Sequence, residues 1–462
     1  MKLLNSCAMK IIMLIETCNR KISERTKYNL ITLISAVQVL CSLLLPVVVK
    51  DSFSVVVIIG ILSFLLYTAL LFSSKKFIQC KLNKFYFGFL IIIGVSFITN
   101  GVFFGVIGYL VIGLIFMCLL PIFYKTLATR RDILKIISAF CKGITLTFLI
   151  FFIMSLFFGP PFDMNQYSSF LSNPNTFSAF MAVVVGASLF LLNVNYKHNT
   201  RNVIFFVVII CIATSLCFYS NSRTNMLCII SQISVYVVKY VVEAIRERKI
   251  FEVCGQIISC IFLLIVAFAL NFFLFTTIHT YIQDFIFQYE DNEVEQYDSD
   301  ISIFDTVGIA TDRFNKGLNG EGNDAFTSGR IGIWKDYIKE ISFVGHAKES
   351  RDIINGDRVY HDTNAHNAYL QVAYSAGIIA GLSLIAIMII MGIKLLKTAV
   401  LFLINKESIL NSKVMFMAST YLCFFVSAIT SGGYMIFTYF PATLFWFSGF
   451  ILMANNVEER KK

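Results

Sequence analysis

Three polar positions stand out in a chain otherwise suited to apolar surroundings. His366 heads His366-Asn-Ala-Tyr-Leu-Gln371, Arg223 lies in Tyr219-Ser-Asn-Ser-Arg-Thr-Asn225, and Arg330 opens Arg330-Ile-Gly-Ile-Trp334. An imidazole titrates near neutral pH, so His366 is either an interfacial polar group or a proton acceptor. Arg223 lies among hydroxyls and amides in a short turn between two apolar runs, where it either snorkels to lipid headgroups or meets an anion. Arg330 begins a stretch in which Ile331, Trp334, Ile338 and Ile341 recur at helical spacing, with Lys335, Asp336, Lys339 and Glu340 opposite. Ser328 is placed to cap this amphipathic helix, which is expected to lie on the membrane or on the helix bundle. A cation in its first turn opposes the helix dipole and invites a compensating anion.

The elements that must position these residues are membrane spans. With 57% hydrophobic and 14% charged residues in 462, and a mean hydropathy of +0.76, the chain departs far from the balance of a soluble domain. Apolar runs at roughly 28–49, 53–73, 85–99, 102–123, 136–158, 174–194, 203–219, 224–242, 255–277, 369–393, 414–430 and 434–453 predict about twelve transmembrane helices. The fold class expected is an all-α integral membrane protein with a large extracytoplasmic loop between the ninth and tenth spans. Its parts are a cytoplasmic segment 1–27, spans one to nine over 28–277, the loop 278–366, spans ten to twelve over 367–454, and a tail 455–462.

Charge supports this layout. The stretch 278–366 holds four of the five histidines, seventeen acidic and eight basic residues, whereas the remainder is strongly basic. The basic residues recur in every second loop, among them Lys75, Lys76, Arg130, Arg131, Arg246, Lys249, Lys394 and Lys397. That alternation places both termini inside and the large loop outside. The patch Ile11–Ile15 is too short for a signal peptide and reads as an interfacial helix.

Several chemistries are disfavoured. The spans contain no Asp or Glu near a midpoint, which argues against an ion-coupled transporter. The twelve cysteines are scattered and none falls in the outer loop, so neither a disulfide framework nor a metal-ligand spacing is present. Residues 290–300 carry six acids without a calcium-loop pattern and read as a solvated acidic face. The loop sequence shows no recognisable protein-binding module.

Taken together and in this order, Asn173-Pro-Asn175, Ser222-Arg223, Gly329-Arg330 with Trp334, Gly345 and His366-Asn367-Ala-Tyr-Leu-Gln371 resemble the O-antigen ligase and O-antigen polymerase family. That family places a large outer loop between spans nine and ten, with His-Asn, nine residues, then Gly-x-x-Gly/Thr/Tyr. Here Ala368–Ala376 supply the nine and Gly377-Ile-Ile-Ala380 follows, so the last position departs from the pattern. The resemblance implies a glycosyltransferase that works without metal or cofactor on a glycan carried by undecaprenyl diphosphate. It implies His366 as the base, with Arg223 and Arg330 on the diphosphate; Arg313, Arg351 and Arg358 are weaker candidates. Asn367, Tyr369, Ser222 and Trp334 are the expected substrate-binding residues, with Tyr369 stacking on a sugar ring. The setting implied is the bacterial cytoplasmic membrane. The implied partners are the bilayer, the lipid-linked glycan, and the flippase and chain-length regulator of the same pathway, with no nucleic acid. A surface-polysaccharide polymerase is the first reading and a ligase to a lipid core or protein the second. A glycolipid or small-anion transporter is the third.

Overall fold

A computed structural model describes residues 13–49, 53–73, 77, 82–159, 167–171, 173–195, 199–278, 281–282, 330–355, 358–405, 412–434 and 437–453. The acidic run 290–300, Gly317–Gly322, Arg313 and Ser328 lie outside the described residues. The chain is an all-α integral membrane protein. In order it forms α1 (Glu24–Val48), α2 (Phe53–Leu71), α3 (Lys84–Phe104), α4 (Ile107–Ala128), α5 (Ile133–Phe158), α6 (Pro174–Asn195), α7 (Thr200–Tyr219), α8 (Arg223–Glu247) and α9 (Ile250–Phe273). The segment between α9 and the next span then contributes α10 (Arg330–Glu340) and an antiparallel pair, β1 (Ser350–Asn355) with β2 (Arg358–Asn364). Finally come α11 (Ala368–Ala376), α12 (Ile378–Asn405), α13 (Ser412–Thr430) and a shorter apolar helix, α14 (Phe440–Met453).

Eleven of the described helices are long and apolar enough to cross a membrane. Among the described residues, the last run expected from sequence, 434–453, is represented by the shorter helix Phe440–Met453. Ser431–Tyr434 is non-helical and lines a cavity, the setting in which irregular backbone is tolerated inside a membrane protein. Two other boundaries also move. The turn after the third span falls at Gly105, in the left-handed region, and not at Asn100-Gly101, which stays helical within α3. The tenth apolar run is split at Gly377 into α11 and α12.

The axis of the bundle is α6. It packs against α5, α7, α8, α13 and α14, and every residue from Phe177 to Leu191 is buried. Its sequence permits this because Ser178, Ala179, Ala182, Gly186, Ala187 and Ser188 let neighbouring backbones approach. In lipid, burial against a neighbour brings no hydrophobic gain, so van der Waals contact and interhelical hydrogen bonds hold such helices together, each bond contributing about 0.6 kcal/mol on average. Gln232 on α8 donates to the Ala182 carbonyl at 3.0 Å and accepts from Ser419 on α13 at 3.3 Å. Between α1 and α5, Thr32 donates to the Ala139 carbonyl and Thr147 to the Ala36 carbonyl, both at 3.0 Å.

At the end of the bundle expected to face the cytoplasm, Arg130 clamps α1 to the α4–α5 turn. Its guanidinium reaches Glu24 at 2.5 Å and Asp132 at 2.6 Å, and Tyr28 donates to the same Asp132 carboxylate. Burial alone would raise the Asp132 carboxyl; the Arg130 and Tyr28 hydrogen bonds outweigh it and hold it below its ordinary value.

Candidate active site

At the opposite end of the bundle, several helix termini surround a cavity of about 290 Å³. The first turn of α6 supplies Asn173, Asn175 and Thr176, and that of α8 supplies Thr224 and Asn225. Arg330 is in the first described turn of α10, while Asn364, His366 and Gln371 come from the approach to α11 and its opening turn. The remaining wall is Thr430 at the end of α13, the Ser431-Gly-Gly-Tyr434 segment, Thr438 and Tyr439 before α14, Glu349, and Phe53. Among the described residues, α6, α8, α11 and α14 are some of the helices that begin at this space, which is favourable ground for negative charge.

A polar network joins α6 to α8 beneath the cavity. Asn225 donates to the hydroxyls of Ser178 at 2.8 Å and Ser222 at 3.0 Å, and Ser222 donates to the Asn175 side chain at 3.1 Å. Asn173 caps α6 through the Asn175 backbone amide at 2.8 Å. The motif Asn173-Pro-Asn175 and the turn at Ser222-Arg223, distant in sequence, are therefore one structural unit.

The break at Gly377 positions the histidine. Asn367 caps α11 by accepting from the Tyr369 and Leu370 amides at 3.0 and 3.1 Å, and its amide donates to the Ile429 carbonyl at the end of α13. The segment 342–349 lies in the notch between α11 and α12: Ile378 N donates to Ser342 O at 3.1 Å, and Ala347 N to Ser375 O at 3.0 Å. Gly377 has φ +98°, and a Cβ there would stand 2.2 Å from the Phe343 carbonyl oxygen, so only glycine fits. Asn100, buried in α3, donates to the carbonyls of Val344 and Ala376, supplying a partner where the helix has ended. His366 itself takes φ +45°, uncommon for a residue with a side chain, and its backbone amide donates to Asn364 at 3.0 Å.

The fold brings some of the expected residues together and separates others. Arg330 and His366 line the cavity; Arg223 is adjacent to lining residue Thr224 and within electrostatic reach of Arg330. Ser222 lies in the supporting network and Asn367 caps a helix, so neither lines the cavity. Tyr369 points elsewhere, its hydroxyl buried and its charge environment set in part by Tyr421 on α13, so the expected stacking on a sugar has no support in this geometry. Trp334 is half-buried and outside the lining. The face of α10 that meets the bundle includes Ile333 and Tyr337, with Tyr337 edge-on to Tyr374 at 4.9 Å, whereas Ile338 is exposed. Arg351 binds Glu340 at 2.6 Å, tying β1 to α10 away from the cavity. His346 contacts the Glu340 carbonyl at 2.7 Å and stacks on Tyr374 at 4.5 Å, a structural assignment. His361 and Arg358 lie on β2, and their side chains are not among those described.

Sequence reasoning missed Glu349, Tyr434 and the rest of Thr430-Ser-Gly-Gly-Tyr434. A polar, glycine-containing interruption between two apolar runs was the available signal for the latter; Glu349 was one acid among seventeen. Burial, then the neighbouring charge of Arg223, pulls the Arg330 guanidinium below its ordinary value. Glu349 is exposed on the cavity wall, and the protein packed around it pushes its carboxyl up.

Residues 206–385 match the family model described as O-Antigen ligase. The match covers less than half of the chain, runs from α7 into α12, and contains Arg223, Arg330, Glu349 and His366. No curated protein and no solved structure matches the chain.

Proposed function

We propose that the chain, whose residues 206–385 match the O-antigen ligase family model, is a surface-polysaccharide polymerase. It moves a glycan from undecaprenyl diphosphate to a sugar hydroxyl of an acceptor at the outer face of the bacterial cytoplasmic membrane. The observation that carries this reading is the placement of two arginines, one opening α8 and the other in the first described turn of α10, within mutual repulsion beside a cavity that also holds His366. Each opposes its own helix dipole, and both oppose one another; a bound diphosphate offsets all three terms.

In the reaction, the acceptor oxygen attacks the anomeric carbon and the bond from that carbon to the diphosphate oxygen breaks. The electron pair leaves on the diphosphate, where the guanidiniums stabilise the growing charge. The hydroxyl proton passes to His366, whose ordinary pKa range suits a base at neutral pH. The supporting elements keep these groups in register without themselves reacting.

The family description favours a second reading, a ligase that delivers the finished glycan to a lipid core or a protein by the same chemistry. The polymerase is preferred because the loop sequence carries no recognisable protein-binding module. The glycan profile of a deletion strain separates them. Surface glycan cut to a single repeat supports the polymerase, and long chains retained on undecaprenyl diphosphate support the ligase. An unchanged profile overturns both.

A further inference from the structure

The cavity has a second polar region that the transfer step leaves unused. Glu349 is on its wall, and its backbone is pinned from α11: Gln371 donates to the Glu349 carbonyl at 2.6 Å and Ser375 to the Lys348 carbonyl at 2.8 Å. Both donors are buried, and α11 is the helix that begins just after His366. Glu349 and His366 are thus referenced to one rigid element. Tyr434 lines the same cavity with only 3% of its surface exposed, and its hydroxyl, near that of Ser375, closes no hydrogen bond of good geometry among the described residues. The ring cannot readily swing out to find one: it stacks on Phe97 at 5.9 Å, and Trp446 donates to its carbonyl at 3.1 Å. The Glu349 carboxylate lies within electrostatic reach of this phenol and lines the same cavity. Glu349 and Tyr434 line this cavity together with Arg330 and His366. A buried hydroxyl left without a well-formed bond beside a cavity-lining carboxylate is completed by a ligand offering several hydroxyls, which accept from the phenol and donate to the carboxylate.

We propose that Glu349 and Tyr434 form the acceptor subsite and select a sugar without acidic substituents, neutral or amino, by hydrogen bonds to its ring hydroxyls. This rests on the glycan-transfer reading above. The carboxylate sets the class, because a uronic acid or a phosphorylated sugar would bring a like charge into a confined space. His366, on the same frame, then meets the hydroxyl that attacks.

The test uses the full-length protein in lipid nanodiscs with the host's own lipid-linked repeat as donor. The repeat oligosaccharide freed from its lipid is titrated as acceptor, alone and against the same oligosaccharide with one primary alcohol oxidised to a carboxylate. Loss of a charge-assisted contact predicts that Glu349→Ala raises the acceptor KM about tenfold or more, with a much smaller change in kcat. Glu349→Gln, which keeps an acceptor atom but no charge, raises KM less and narrows the preference for the unoxidised oligosaccharide. Tyr434→Phe raises the acceptor KM several-fold while melting like the wild type. Inhibition by free undecaprenyl diphosphate stays unchanged in all three, which a merely structural defect would not allow. Wild-type acceptor KM in Glu349→Ala, or an equal loss of diphosphate inhibition, overturns the subsite. A wild-type protein that transfers no glycan overturns the transfer reading first and the subsite with it.

Discussion

His366 and the two arginines make separable claims about single side chains. Each Arg-to-diphosphate contact is charge-assisted and contributes about 1.5–3 kcal/mol, so Arg223→Ala and Arg330→Ala should each slow transfer at least about tenfold. Arg→Lys should also impair, since a point charge does not reproduce the planar fork. Initial rates in reconstituted membranes check this, and a fully active Arg223→Ala would leave that side chain as a lipid-facing anchor. For the base, removal typically costs about 10²–10⁴-fold. Complementation with His366→Ala should therefore yield no polymer although the protein accumulates normally. His346→Ala is the internal control: its ring is engaged with the Glu340 carbonyl and Tyr374, so its loss should affect stability more than glycan length. His361→Ala gives the alternative outcome, since loss of polymer in that variant alone would move the base five residues upstream.

At the scale of elements, the interrupted helix α11–α12 is the part that positions the chemistry. Gly377 and Gly345 meet back to back there, and a Cβ on Gly345 would lie 2.5 Å from the Gly377 nitrogen. Gly377→Ala should displace the segment 342–349 and with it both Glu349 and His366. The expected result is a strong loss of transfer accompanied by a lower melting temperature. Asn100→Leu tests the same notch from α3, removing the donor to the Val344 and Ala376 carbonyls while keeping the side-chain volume similar. Leaving buried carbonyls unpaired costs about 1–3 kcal/mol, so this variant should also melt earlier. A normal melting curve for both would show that the break is held by other contacts.

For the whole molecule, the testable property is orientation. The alternation of basic loops predicts both termini inside, with α10, the hairpin and the cavity outside. Lys348 is exposed next to Glu349, so Lys348→Cys in a background without native cysteines should react with an impermeant maleimide in intact cells. A cysteine placed at exposed Arg131, beside the Arg130 clamp, should react only after permeabilisation. The reverse pattern would place the cavity on the wrong side for a donor presented at the outer leaflet and would end the proposed mechanism.

Apolar runs and loop charges determined the class of the molecule, because lipid demands long helices with their backbone bonds satisfied internally and the insertion machinery reads basic loops. They also marked Arg223, Arg330 and His366, since polar groups beside a membrane are costly enough to stand out in an apolar chain. What they could not locate was the interior of the site. Gly377 reads as an ordinary glycine in an apolar run until the loop backbone is seen packed against it, and Asn100 reads as a turn until its two distant carbonyls appear. Tyr369 matches the family pattern yet faces α13, because one turn of helix decides which way a side chain points. Glu349 and Tyr434 are 85 positions apart and share a cavity only through the packing of α11 on α13, and of α13 and α14 on α6. Local pattern specifies which segments are helical and which residues are costly; tertiary packing alone decides which of those residues face the same space.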